Sequence, residues 1–245
     1  MSKPLNNKDE IIKQLGFLES RLRILEEQKN TLVISYLTLR TTIGILGMSL
    51  PFLVSLGARL FFGTGLQSSI SAYYYTGMRD VLVGALWAAG FFLFSYRGYS
   101  RMDEVAGKLA CLFAVGAAIF PASPDGATDP VVLRIGMVHL IFSALLFLTL
   151  IYFSLFLFTK TDPHGTPTPR KQLRNHVYRV CGFVMFLYVL ILGVYTVLPR
   201  DLAAVFAVYH PIYWLEALAL FTFGVSWFTK GEAILKDEEV APRRA

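Results

Sequence analysis

The chain has 245 residues, 55% of them hydrophobic and only 16% charged, with a formal net charge of +6. A soluble domain carries about 25% charged residues; here charge is confined to the N-terminal segment, short connections and the tail. Nucleic acid is excluded as a partner, because the Lys and Arg residues lie between apolar stretches and not along one soluble face. A β-barrel is excluded because the apolar runs are continuous, not alternating.

The chain opens on polar and charged residues, with no signal-peptide pattern. Residues 1–31 are expected to form a cytoplasmic helix. Ile11, Leu15, Leu18, Leu22 and Leu25 follow a 4-3-4-3 spacing, the seam of a heptad repeat. Lys29 interrupts it and Leu32 resumes its phase. So narrow a stripe suits another helix, which predicts a homo-oligomer formed through residues 9–29. The alternative is an amphipathic helix lying on the membrane or on the protein's own inner loops.

Residues 32–229 are expected to form the membrane domain, since a helical crossing needs about 20 apolar residues. The spans are read at 32–56, 80–96, 104–120, 135–159, 180–198 and 209–229. The third is the weakest, and Lys108 must snorkel. The connection 121–126 is a Pro/Ser/Gly turn cluster, and 162–170 is a proline-rich inner loop. Residues 230–245 form a cytoplasmic tail. The fold class is therefore all-α, a polytopic bundle of six spans in three hairpins.

Orientation follows from charge. With both termini in the cytoplasm, every Lys and Arg falls on the inner side except Arg59, Arg79, Arg134 and Arg200. That bias is the main determinant of topology. The expected location is a bacterial inner membrane, with the lipid bilayer as a partner. Cys111 and Cys181 lie inside spans with no metal or redox spacing and read as packing residues.

A charge at the centre of a span costs about 2.5–3.5 kcal/mol, so intramembrane polar residues are functional candidates. Glu216 is the clearest, seven residues into the sixth span. His139 and Ser143 lie one turn apart in the fourth. Arg79 and Asp80 open the second, Arg134 stands at the outer end of the fourth, and Tyr209, His210 and Tyr213 lie at the start of the sixth. All belong to the outer half, near Ser71 and Tyr73–Tyr75, which predicts an outer-facing polar pocket. Arg134 is the expected counter-charge of Glu216, and Tyr209 and Tyr213 are expected on its helix face. The bland reading makes these residues helix caps and interhelical hydrogen bonds. His210 and Glu216 point about 120° apart on one helix, so they are not joint metal ligands unless the helix breaks near Pro211. No metal or cofactor is expected, and no GxSxG or SxxK nucleophile motif is present.

The run 67–84, the segments 178–182 and 214–217, and the stretch 224–232 together resemble a family of uncharacterised bacterial inner-membrane proteins of about six spans. That resemblance implies location and span count and brings no activity. A second, weaker likeness is to the CREST membrane hydrolases, whose zinc site uses Ser-xxx-His and His-xxx-His. Here Ser71-xxx-Tyr75 and His210-xxx-Trp214 stand in those places, each short of a histidine. The expected function is a small-solute or ion pathway, a sensor or an accessory subunit, its ligand unassigned. The alternative is a metal-dependent membrane hydrolase or lipid-modifying enzyme using Asp80, His139, His210 and Glu216.

Overall fold

A computed structural model describes residues 7–98, 100–161 and 168–235, and the regular structure among these is all helical, with no strand. Most of the proline-rich connection and of the tail lie outside the described residues. Seven helices follow in chain order: α1 Asn7–Phe62, α2 Arg79–Phe94, α3 Arg101–Ile119, α4 Pro130–Tyr152, α5 Pro169–Thr196, α6 Arg200–Ala207 and α7 Pro211–Lys230. A 3-10 turn, Ser71–Tyr75, precedes α2, and a π turn, Phe153–Leu157, prolongs α4.

Six of these helices close a ring. Each of α1 to α4 packs on its successor, α5 packs on α7, and α7 closes against α1. The ring places connections at two ends. At one, Ser68 Oγ donates to Asp125 and Tyr75 Oη donates to the Ala122 carbonyl, while the Tyr213 amide donates to the Ser68 carbonyl. This Glu216 end thus gathers the α1–α2 and α3–α4 connections and the start of α7. At the other, Lys160 bonds Asp103 and Ser100, Arg40 donates to the Lys230 carbonyl, and the Arg97 amide donates to Tyr36 Oη.

Local sequence explains the helix boundaries. Asp129 and Thr168 cap α4 and α5 with their side chains, each followed by a proline in the first turn, where a missing N–H costs nothing. Ser100 and Asp103 form a capping box at α3. Asp103 is wholly buried and its charge is met by Lys160 at 2.9 Å. Lys108 reaches back one turn to Glu104 at 2.7 Å.

Small residues set the closest crossings. A Cβ on Gly44 would collide with the Phe228 amide, and one on Gly224 with the Gly44 carbonyl. This pair lets α1 and α7 touch backbone to backbone. Gly107 does the same for α3 on α2, against the Leu93 carbonyl. Around the Lys230 end the core is aromatic: Trp227, wholly buried, meets Phe158 at 4.9 Å, Tyr96 at 5.1 Å and Phe153 at 5.6 Å between ring centroids.

Four helical stretches are long and apolar enough to cross a membrane: Glu10–Phe62, Pro130–Leu157, Pro169–Thr196 and Pro211–Lys230. The second and third expected spans are not among them. α2 has 16 residues, and α3 opens with Arg101, Asp103, Glu104 and Lys108. Three further boundaries differ from expectation. α5 starts at Pro169, because Thr168 caps it earlier than hydropathy suggests. α6 is an additional amphipathic helix between the fifth and sixth expected spans. α7 starts at Pro211, after His210 in a left-handed conformation (φ 51°), so Tyr209 does not share the helix of Glu216.

The first helix is one piece. Its 56 residues extend about 84 Å at 1.5 Å per residue, far beyond a membrane core of about 30 Å. Residues 10–35 are exposed on every side, and burial begins at Tyr36. Eighteen residues make about five turns, so Leu18 lies under Tyr36 and Leu25 under Ile43. The heptad stripe and the bundle-facing surface are one face of one helix.

Candidate functional site

Three elements converge at the Glu216 end. α7 carries Glu216 inward because Glu216, Leu220, Phe223, Trp227 and Lys230 recur at 4-3-4-3 spacing on its buried face. α4 presents His139, Ser143 and Leu146 in the same way. The segment between α1 and α2 folds over them, its 3-10 turn opening at Ser71. Between these elements lies a cavity of about 50 Å³ lined by Ser71, His139, Ser143 and Glu216, with Leu50, Leu82, Leu86 and Ala117 from α1, α2 and α3 among its apolar walls.

The hydrogen bonds define which groups the cavity offers. His139 is buried, and its Nδ1 lies 2.7 Å from the Phe120 carbonyl and 3.0 Å from that of Ala117. Carbonyls only accept, so Nδ1 carries the proton. In the neutral ring Nε2 therefore presents a lone pair, met by Ser71 Oγ at 2.9 Å and Ser143 Oγ at 3.1 Å. Glu216 is partly buried and accepts the Ile70 amide at 2.7 Å through Oε2. With a carboxylate and two hydroxyls whose hydrogens the imidazole can accept, the chamber is rich in acceptor oxygens and holds no cationic side chain.

The covering segment is itself tied down. The Gln67 amide donates to Tyr73 Oη at 3.4 Å and the Tyr213 amide donates to the Ser68 carbonyl at 3.0 Å, while Tyr213 Oη joins α7 to α1 by donating to the Pro51 carbonyl at 3.1 Å. Burial pushes the Tyr73 phenol above its ordinary range, so it stays protonated at every physiological pH.

Of the residues expected in the pocket, His139, Ser143 and Glu216 line the cavity together. Tyr213 is buried directly beside it. Arg79, Asp80, Arg134 and Tyr209 are exposed and do not line it. Arg79 instead donates to Tyr74 Oη at 2.7 Å and stacks over its ring. Arg134 forms no ion pair with Glu216, whose partner is a backbone amide; the arginine is exposed near the start of α4. His210 serves as the hinge before α7, its Nδ1 buried without a partner. Ser71, expected from sequence only near the pocket and not among its members, is a principal member of the site. No periodicity marks it, because it reaches His139 across 68 residues of sequence.

Among the described residues, no group of three His, Cys, Asp or Glu side chains is placed to hold a metal ion. Comparison with protein-family models, with curated proteins and with solved structures finds no match, so neither family resemblance carries the argument further.

Proposed function

We propose that this chain is a six-span protein of a bacterial inner membrane, both termini cytoplasmic, whose outer half holds a binding chamber for a proton, a small cation or a hydrogen-bond-donating solute. It works as a pathway or a sensor rather than as an enzyme. The observation that carries this reading is the convergence of Glu216, His139, Ser71 and Ser143 on one cavity that offers acceptors and no cation.

Support for the membrane setting comes from the outer surface of the ring. Phe183, Phe186, Leu187, Leu190, Ile191 and Val194 lie exposed along α5, and Leu60 and Phe61 stand 75% and 79% exposed. Contiguous apolar surface on this scale needs a lipid or protein cover. Support for six crossings comes from the alternation of the connections between the two ends of the ring. α2 and α3 would extend about 24 and 28 Å, short of a full core but shielded from lipid on one side by the ring.

Melting temperature tests the chamber. The purified wild-type protein should be stabilised by one of sodium, a primary alkylammonium ion or a change of pH, and Glu216→Gln should lose that response. Equal responses in both proteins would remove the chamber from consideration.

Ser71 against His139 Nε2 is the observation that favours the second reading, a membrane-embedded hydrolase. It has the nucleophile–base contact such an enzyme needs. It lacks a free oxyanion donor beside the serine, since the Ile70 amide is held by Glu216 and the Ala72 amide by Ser69 Oγ at 3.0 Å. A fluorophosphonate probe is expected to leave Ser71 unlabelled; labelling abolished by Ser71→Ala would reverse the order of the two readings.

A further inference from the structure

The axis of the bundle continues beneath the outer chamber. A second cavity of about 40 Å³ lies next along it, lined by apolar residues alone, among them Ile43, Leu93, Leu150 and Phe223. Four leucines line both cavities: Leu50 from α1, Leu86 from α2, Leu146 from α4 and Leu220 from α7. One residue from each of four helices at one level makes a constriction, and an apolar constriction of this kind gates by excluding water.

Polar groups return on the inner side of that layer. Ser154 and Ser226, both fully buried, share a hydrogen bond of 2.9 Å. Trp227, one turn below Phe223, is wholly buried and its Nε1 has no partner. The Asp103–Lys160 pair follows at the inner end. The inward face of α7 runs through all these levels, from Glu216 to Lys230.

We propose that the bundle axis is a gated proton path, running from the Glu216–His139 chamber through the four-leucine layer to the Ser154–Ser226 tier and the inner end. This rests on the reading of the chamber as a site for protons or cations. Size selects the proton. Cavities of about 50 and 40 Å³ hold only about three waters each, which suffices for a single file and leaves no room for a hydrated metal ion. Facing Glu216 across the chamber, α1, α2 and α3 contribute leucines and Ala117, and α4 contributes His139 as the one other titratable group. A proton from outer water binds the Glu216 carboxylate. When water enters the leucine layer the proton leaves along that file toward the inner end, and the carboxylate is regenerated.

The test uses the full chain in liposomes with a trapped pH-sensitive dye, an imposed potential and an acidic exterior; parallel vesicles carry a sodium-sensitive dye. Leu146→Ser and Leu220→Ala, which wet the constriction, should each raise proton uptake about tenfold over wild type. Glu216→Gln should return uptake to that of protein-free vesicles. Two leucine variants are used so that one failing to elute as a single species leaves the other. Proton uptake no faster than in protein-free vesicles, for the wild type and the folded leucine variant alike, overturns the path. So does uptake unchanged by Glu216→Gln, or sodium entry matching proton entry. If the path fails while Glu216→Gln still loses the melting response, the chamber is a closed binding site and only this inference falls.

Discussion

At Glu216 a carboxylate lies in the apolar half of a helix, and the structure answers it with a backbone amide instead of an arginine. Glu216→Gln keeps an oxygen for the Ile70 amide and should melt close to wild type. Glu216→Leu orphans that donor, which costs about 1–3 kcal/mol, and should lower the melting temperature clearly. The two variants separate the tie from the charge. Equal melting of Leu and Gln variants would show that the bond contributes nothing. His139 is legible in the sequence as an intramembrane polar group, as is Ser143 one turn on. Ser71 is not, because its partner lies across the fold.

Among the elements, the α1–α7 crossing depends on Gly44 and Gly224, where a Cβ has no space. Gly224→Leu should force the two helices apart and remove the monodisperse species on size exclusion, while Gly193→Leu, at an open position, should leave it intact. A Gly224→Leu protein eluting like wild type would contradict the crossing. The stem of α1 poses a different problem. Its stripe shares a face with Tyr36 and Ile43, which pack into the bundle. A straight two-fold pair through that stripe would put both bundles in the space between the two helices. Self-association through residues 9–29 therefore requires α1 to bend near Lys29, where the seam breaks. Leu18→Lys with Leu22→Lys should lower the mass measured by light scattering in detergent. An unchanged mass assigns the stripe to the membrane surface or to the protein's own inner loops.

Considered whole, the molecule makes a prediction about sidedness. Reporter fusions after Lys171 and at the C-terminus should read as cytoplasmic, and fusions after Asp125 and Asp201 as external, because this arrangement leaves only four basic residues outside. A cytoplasmic reading at Asp125 would put the Ser68–Asp125 end of the ring on the inner side and overturn the six-span arrangement. The sequence alone determined the helical class and the long apolar helices, since these follow from composition and from periodicity along one chain. Only the tertiary structure decided that the helices close a ring, that Ser71 rather than Arg134 completes the polar site, and that the stem stripe and the core face coincide. Each of those depends on contacts between residues far apart in sequence, and hydropathy along a single helix carries no record of which neighbour it will meet.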